Sequence, residues 1–434
     1  MTELTPTLLQ RLLRRACNIE PQEVRVTLSS FLFVLILMSA YYILRPVRDA
    51  MASDWTDVQV SLLWTFTFFF SAIAVSLYGA AISRVRFDRL VPSVYGFFAL
   101  SFVLFYVGTQ ALSDRALLDK SFYVWISVFS LFHISVFWSF MADLFSRPQA
   151  IRLFAFIGAG ASVGGIIGPA IAAALARDIG TDQLLLIASV LMILTIPNIG
   201  LLQRLKSSAL HNSGDVAAPT SNAIGGNPFA GFTEFMKSPF LLGIGVFILF
   251  YTSISSFVYF ELKNLLADYD RDTRVQIWAQ MDLAVNSLTI LIAVFATGRI
   301  AKRMGLPFTL ASVPALVGAG FVTLALAPTV AVVIALQVVR RAGNYAITRP
   351  AREMLFTAVD RETRFKAKPV IDIVIYRGGD MLNAWAFTAL TQGLGLGLAA
   401  VAGVGAVIAA LWGVVGVYLG RHFQRTQNGE NVQE

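Results

Sequence analysis

The sequence of 434 residues contains one cysteine, Cys17, and three histidines, His133, His211 and His422. An internal disulfide is therefore impossible, and the sequence holds no cluster of metal-ligating residues. It also has no P-loop motif and no convincingly spaced Ser/His/Asp set, although a triad assembled only in space would leave no mark in a sequence. We therefore predict a protein that is not an enzyme and that needs no cofactor and no metal.

Charge is scarce as well. Only 14% of the residues are charged and 56% are hydrophobic, whereas a typical soluble domain has about 25% charged residues. The mean hydropathy of +0.69 indicates a membrane protein. The net charge is +8, but excess Lys and Arg in a membrane protein mostly sets topology, so we expect no nucleic-acid partner. Residues 1–23 lack the apolar run of a signal peptide, so we expect no cleaved leader.

A membrane-spanning helix needs roughly 20 mostly apolar residues, and the chain contains about twelve such stretches. They lie at 26–45, 59–82, 90–110, 122–144, 153–175, 183–203, 239–261, 275–297, 306–326, 329–348, 369–391 and 396–420. Basic residues accumulate in the even-numbered connections, for example at 84–89 and 361–368, and not in the odd-numbered ones. By the positive-inside rule both termini are then cytoplasmic. We predict an all-α, multi-pass integral membrane protein.

The longest polar interruption is rich in Ser, Gly, Asn and Pro and is interpreted as a flexible cytoplasmic linker. The predicted organisation is a cytoplasmic segment 1–25, a six-helix half 26–206, the linker 207–236, a second six-helix half 237–421 and a cytoplasmic tail 422–434. A shift of about 212 residues aligns the two halves weakly and places Arg152 on Arg364.

Two six-helix halves related by a parallel repeat resemble the plan of the major facilitator superfamily, whose site lies near the membrane midplane. The turn "GAAISRVRFDR" (79–89) and the glycine run "GAGASVGGIIGP" (158–169) are similar to elements of that superfamily. A glycine run by itself more often reflects close helix packing. Because one chain would hold both halves of the site, we expect a monomer.

A charged cluster follows the apolar part of the first span. Tyr41, Arg45 and Arg48 are spaced by four and three residues, so they share one helix face, and Asp49 follows directly. An ionisable residue inside a membrane costs roughly 2.5–3.5 kcal/mol on insertion scales, which makes each one a candidate site. The cluster either faces a cavity that binds an anion, or its arginines reach for the outer interface with Arg45 paired to Asp49.

The fourth span carries Ser135, Ser139 and Asp143 at intervals of four residues, which forms a polar stripe. Asp143 is either a functional carboxylate or the partner of Arg147 in a structural ion pair. His133 lies off this stripe and is interpreted as a packing residue.

Spans 8, 10 and 11 supply the other candidates. They are Asp282 in span 8, Arg340, Arg341 and Asn344 in span 10, and Asp372, Tyr376, Arg377, Asp380 and Asn383 in span 11. The arginines of span 10 lie about 18 Å along that helix at 1.5 Å per residue, too deep to reach water easily. Arginine forks match phosphate and carboxylate oxygens, so we predict that the five arginines, with Tyr41, Asn344, Tyr376 and Asn383, bind an anionic solute. The aspartates would couple transport or balance charge.

The segment "PAREMLFTAVDRETRFKAKPVIDIV" (350–374) is similar to the corresponding stretch of the ATP/ADP antiporter family, the nucleotide transporters of plastids and of bacteria living inside host cells. "YILRPVRDA" (42–50) resembles that family's first-helix motif Ile-Leu-Arg-x-x-Lys-Asp, and "MADLF" (141–145) resembles Met-Ala-Glu-Leu-Trp. The resemblance implies that Arg48 occupies the place of a substrate-interacting Lys. It also implies that Asp143 and Asp282 occupy the places of functional acids.

The chain departs from the family pattern at two positions. The functional Lys of span 11 falls on Asp380, and the Glu of span 7 has no counterpart in register, Glu261 being the nearest acid. Arg377, one turn before Asp380, could replace the missing cation. The resemblance therefore implies a divergent bacterial relative in the inner membrane, rather than ATP/ADP exchange itself.

We predict a secondary transporter that moves an anionic, phosphorylated solute by alternating access, with nucleotide exchange as one form. The alternative is a proton-coupled permease or exporter of another solute or lipid-linked substrate on the same scaffold. In that case Asp143, Asp282 and Asp380 would titrate.

Overall fold

The computed structural model describes residues 19–82, 87–209, 230–293, 295, 298–359, 367 and 370–427, and helices account for most of them. No strand occurs within these ranges. The α-helices are α1 (Val24–Met51), α2 (Asp57–Ile82), α3 (Phe87–Ala111), α4 (Ala116–Leu144), α5 (Arg147–Ile179), α6 (Thr181–Ala209), α7 (Ala230–Lys237), α8 (Pro239–Leu265), α9 (Arg271–Ile292), α10 (Gly298–Leu326), α11 (Val330–Gly343), α12 (Arg349–Leu355), α13 (Tyr376–Thr388) and α14 (Leu398–Gln427). Three π-helical turns, Asn344–Thr348, Val370–Ile375 and Ala389–Gly393, and two 3-10 turns, Ala52–Asp54 and Phe356–Ala358, adjoin them. The predicted all-α class is confirmed.

Within the described residues, eleven helical stretches are long and apolar enough to cross a membrane. Such stretches fold as helices because lipid offers the backbone no hydrogen-bond partners, so each segment must satisfy its own. The remaining predicted span, span 11 at 369–391, is helical over its described residues: α13 has a π-helical turn on each side. It is not among the eleven, because Asp372, Arg377 and Asp380 fall close together in it. The predicted membrane-spanning class is confirmed.

The first compact unit, unit 1, comprises Met1–Met51, Phe69–Ala223 and Arg271–Leu283. Within it, α5 packs directly against α1 along a line of glycines. A Cβ added at Gly160, Gly164 or Gly168 would lie 2.4–2.6 Å from a carbonyl oxygen of α1, closer than any side chain could be. These contacts favour the packing explanation of the glycine run.

The second compact unit, unit 2, comprises Ala52–Phe68, Ile224–Asp270 and Ala284–Glu434. Its helices α10 and α14 approach closely, since a Cβ on Gly420 would lie 2.5 Å from the Pro307 backbone. The start of α2 is tied to α8 by a buried ion pair, Lys263 Nζ to Asp57 Oδ1 at 2.7 Å. Helices α2 and α9 each begin in one unit and end in the other.

Candidate functional site

Arg48, in the last turn of α1, is held by the buried carboxylate next to it. Its Nε and Nη2 both donate to Asp49 Oδ1, at 2.9 and 2.5 Å. Nη1 donates to Ser127 Oγ of α4 at 3.4 Å, and the guanidinium carbon lies 5.6 Å from the ring centroid of Tyr123. Asp49 is 1% exposed, whereas Arg48 remains half-buried. The arginine thus neutralises a buried carboxylate, whose burial without a partner would be costly.

Arg45, one turn earlier, lies between two carboxylates. Its Nε is 3.6 Å from Asp49 Oδ2, and its Nη1 is 3.8 Å from Asp282 Oδ1. Asp282 is 1% exposed and belongs to the part of α9 that packs within unit 1. With Arg48, the cluster holds two cations and two anions and has no net charge. The Arg45 contacts are longer than those of Arg48, so they are the weaker pair.

Tyr41 shares the helix face of these arginines and stacks on His133 of α4, with ring centroids 4.3 Å apart. His133 is 4% exposed, and its Nδ1 lies 3.3 Å from the Phe129 carbonyl oxygen. The sequence placed His133 off the polar stripe, and its contacts are those of a packing residue.

Asp143 lies apart from this cluster. It is 16 positions after Ser127 on α4, which corresponds to about 24 Å along the helix. Its Oδ2 accepts from Lys206 Nζ at 2.8 Å, and both side chains are about half exposed, at 50% and 44%. Asp143 therefore forms an ion pair with Lys206, and the pairing with Arg147 that the sequence suggested falls on a side chain outside the described residues.

In unit 2, Arg340 of α11 is 3% exposed and contacts neutral groups. Its Nε and Nη2 donate to Gln337 Oε1 at 3.0 and 2.6 Å, and Nη1 donates to the Tyr251 hydroxyl of α8 at 3.4 Å. Among the described residues, no carboxylate lies within ion-pair distance of it. A buried guanidinium held only by dipoles retains most of its attraction for an anion.

Arg377 and Asp380 of α13 approach each other near the same region of unit 2. Arg377 Nη1 is 3.9 Å from Asp380 Oδ2, and their side chains are 23% and 21% exposed. The charge of Arg340 also acts on Asp380. Tyr376 packs its ring 6.0 Å from that of Tyr251, so α8, α11 and α13 bring these groups together.

Asn383 is occupied by helix packing. Its Oδ1 accepts from Ser253 and its Nδ2 donates to Thr252 Oγ1, at 2.8 and 3.0 Å. Gly379 packs on the same residues, since a Cβ there would lie 2.6 Å from Thr252 Oγ1. Asn383 therefore connects α13 to α8, and the glycine leaves room for that neighbour.

Arg341 and Asn344 are buried on α11 and on the π-helical turn that continues it, with 2% and 9% exposed. A π-helical turn widens the helix and redirects its side chains, and such turns are frequent at functional sites. The side chain of Asp372 lies outside the described residues, as do residues 360–366 of the segment 350–374.

Glu261 of α8 is a buried acid. It is 1% exposed, and neither carboxyl oxygen has a hydrogen-bond partner among the described residues. Burying a carboxyl group without a hydrogen bond is costly, which makes Glu261 a candidate for function inside the membrane.

Four contact residues were missed by sequence reasoning: Ser127 and Tyr123 beside Arg48, and Gln337 and Tyr251 beside Arg340. Ser127 lies eight positions before the polar stripe of α4, and Gln337 lies three positions before Arg340 on the same helix face, so both had a spacing signal. Tyr123 and Tyr251 had no such spacing signal. Within the described residues, no three metal-ligating side chains come together.

Both units hold guanidinium groups, half-buried in unit 1 and buried on α11 in unit 2, on helical stretches long enough to span a membrane, which suits the binding of a charged solute. The sequence profile of the Major Facilitator Superfamily matches residues 29–359. A comparison with curated proteins finds no match.

Several solved transporter structures share the fold. A bacterial homologue of the iron transporter ferroportin has a TM-score of 0.65 at 14% identity, with 92% of this chain and 99% of that one covered. A bacterial homologue of the human lysosomal transporter Spinster has a TM-score of 0.59 at 14% identity, with 94% and 99% covered. The nucleoside transporter NupG has a TM-score of 0.60 at 10% identity, with 92% and 99% covered.

At these identities the likeness establishes the fold and not the solute. The profile match, by contrast, extends over most of the chain. The chain therefore belongs to the Major Facilitator Superfamily, and it is a membrane transporter and not an enzyme.

Proposed function

We propose that this protein is a secondary transporter that moves an anionic, phosphorylated solute by alternating access, with nucleotide exchange as the specific form to test first. The observation that carries the proposal is Arg340, a guanidinium that is 3% exposed and that, among the described residues, hydrogen-bonds to the neutral groups of Gln337 and Tyr251. A phosphate oxygen is a better partner for this cation than either neutral group, because its hydrogen bonds would be charge-assisted at both ends.

The cluster of unit 1 would serve the same solute in a different way. Asp49 and Asp282 hold Arg45 and Arg48 when no solute is present, so the arginines stay neutralised inside the membrane. Of these pairs, the Arg45–Asp282 contact of 3.8 Å is the longest and the easiest to exchange for a substrate oxygen. Asp143, Glu261, Asp372 and Asp380 would then act in coupling or charge balance.

The resemblance to the ATP/ADP antiporter family supports a nucleotide or a similar phosphorylated metabolite. Arg48 stands at the place of a substrate-interacting Lys, and Asp380 stands where the family has a second Lys. In unit 2, Arg377 lies 3.9 Å from Asp380 and could supply that cation. The presence of Asp380 reduces the positive charge of the site, so we expect a solute with fewer negative charges than ATP.

The basic connections support cytoplasmic termini, and the resemblance supports the inner membrane of a bacterium. We propose that a monomer is the working form, with the six-helix halves 26–206 and 237–421 joined by the linker 207–236.

The decisive experiment is counter-exchange in proteoliposomes. Purified protein is reconstituted with unlabelled nucleotides, sugar phosphates or organic acids inside, and uptake of the labelled compound is followed. The Arg340→Gln variant should weaken the apparent affinity for the transported anion about 10- to 150-fold, which corresponds to one lost charge-assisted hydrogen bond. Arg303→Gln, which removes an exposed cation from α10, is the matched control and should transport normally.

Two results would overturn the proposal. One is a folded wild-type protein that moves none of the anions. The other is transport of a neutral nucleoside as fast as of its phosphate esters, with Arg340→Gln unaffected.

A second candidate, a proton-coupled permease or exporter of another solute or of a lipid-linked substrate, is favoured by Glu261. A carboxyl that is 1% exposed and has no hydrogen-bond partner among the described residues is suited to carry a proton through the cycle. An imposed pH gradient should then drive uptake, and Glu261→Gln or Asp380→Asn should abolish that dependence. Uptake that ignores both the gradient and the substitutions would exclude this candidate.

A further inference from the structure

A groove of about 980 Å³ runs along α10 and α14 of unit 2, away from the buried arginines of the candidate site. Small residues line much of it, among them Gly318 and Ala319 on α10 and Ala406 and Ala410 on α14. The two helices touch at its floor, where a Cβ on Gly318 would lie 3.5 Å from that of Ala409. Every lining side chain of α14 from Ala406 to Val417 is apolar.

The other end of the groove is basic. Arg421 and Arg425 lie one turn apart on the same face of α14, and both line the groove and are exposed. Neither makes a hydrogen bond or an ion pair with any residue that the structure describes. His422, which also lines this end, stacks on Phe240 of α8 with ring centroids 4.9 Å apart. Two guanidinium groups without a carboxylate partner among the described residues therefore lie where the apolar groove ends.

The dimensions fit a lipid. From Ala406 to Arg421 the groove is about 22 Å long at 1.5 Å per residue. One leaflet of the hydrocarbon core is about 15 Å thick, half of the whole. An acyl chain could therefore lie along the small residues while its headgroup reaches the arginines. Tyr418, 54% exposed beside that end, is of the residue type that sits at headgroup depth.

We propose that this groove binds an anionic phospholipid, with one acyl chain against the small residues and the phosphate between Arg421 and Arg425. Arginine forks match phosphate oxygens bidentately, and basic pockets beside membrane helices commonly take anionic headgroups. A neutral lipid, or an apolar helix of a second copy, would leave both cations unmatched. The site is separate from the solute site, so its occupancy does not depend on which solute is carried.

The test is a titration of the full-length protein in detergent with phosphatidylglycerol and, separately, with phosphatidylcholine, followed by native mass spectrometry. The wild type should retain phosphatidylglycerol in preference to phosphatidylcholine. Arg421→Gln/Arg425→Gln should weaken that binding about 25-fold, or about fivefold per arginine. Ala410→Phe fills the groove without changing its charge and should also weaken the binding of phosphatidylglycerol.

Matched controls separate this site from general attraction to anionic lipid. Arg89→Gln/Lys237→Gln removes the same charge from exposed positions elsewhere, and Ala142→Phe adds the same bulk to an exposed position on α4. Both should bind as the wild type does. A thermal melt verifies that each variant is folded. If Arg421→Gln/Arg425→Gln does not fold, Arg421→Lys/Arg425→Lys, which keeps the charge, is tested in its place.

The proposal is overturned if the wild type binds the two lipids equally or if the charge control loses as much affinity as the groove variant. It is also overturned if the wild type is a dimer that Ala410→Phe converts to monomers, because a second copy would then fill the groove.

Discussion

Replacing Arg48 together with its carboxylate separates a binding role from a structural one. In Arg48→Gln, Asp49 would stay 1% exposed with only Arg45, 3.6 Å away, to neutralise it. Breaking a buried ion pair by removing one partner costs about 3–5 kcal/mol. Because Arg45 remains, we expect a loss near the lower end, about 3 kcal/mol.

The double variant Arg48→Gln/Asp49→Asn removes one cation and one anion, and Arg45 and Asp282 remain as an opposite-charge pair. Replacing a whole buried pair is often neutral, so its stability should return to within about 1 kcal/mol of the wild type. If Arg48 binds the solute, however, transport should stay defective. A bidentate contact to phosphate contributes about 1.5–3 kcal/mol, so the apparent KM should rise about 10- to 150-fold in both variants.

The assay combines thermal melting in detergent with initial rates of counter-exchange over a range of substrate concentrations. Arg115→Gln/Asp182→Asn is the control, because this pair also lies in unit 1 at 2.8 Å but outside the proposed site. It should leave both readouts near wild type. The reasoning is refuted if the Arg48/Asp49 double variant recovers stability and transport together, since Arg48 would then only neutralise Asp49.

Three further predictions concern other parts of the fold. Glu261→Leu should raise the melting temperature, because it removes a buried carboxyl group that has no hydrogen-bond partner among the described residues, and an unchanged or lower value would contradict that environment. Gly164→Ala should destabilise unit 1 by about 1–3 kcal/mol, because the added Cβ would clash with α1. Gly200→Ala is the control and should not destabilise it, because a Cβ there has no neighbour within 4 Å. Equal melting temperatures of the two variants would refute the close contact. Lys263→Met should lower the free energy of unfolding by about 3–5 kcal/mol, because it leaves the buried Asp57 without its cation. Adding Asp57→Asn should restore most of that loss. A double variant as unstable as Lys263→Met alone would argue against the ion pair.

The membrane-spanning, all-helical class could be predicted from the sequence because it depends on local properties. An apolar run of about 20 residues has one stable solution in lipid, a helix that satisfies its own backbone. Eleven of the twelve predicted spans match apolar helices of the described chain. Span 369–391 was predicted as one of the twelve apolar stretches, and its helix α13 is polar where Arg377 and Asp380 lie.

The candidate site was predictable only as a set of residues. Arg45, Arg48 and Arg340 stand out because charge is expensive in a membrane, and that cost is a property of each residue alone. The partners of these arginines cannot be predicted in this way, because they depend on how the helices pack. Arg48 could equally have faced lipid headgroups, and nothing in the sequence predicted that Asp143 would bond to Lys206.

The sequence by itself determined the helices, their apolar character and the positions of the charges along them. Only the tertiary structure decided that Arg48 is held by Asp49 and Ser127, and that Arg340 contacts Gln337 and Tyr251 without a carboxylate at ion-pair distance among the described residues. The physical reason is that a membrane helix is apolar on nearly every side, so its hydrophobic pattern does not specify which face meets which neighbour. That register is set by packing, as where the glycines of α5 fit against the α1 backbone.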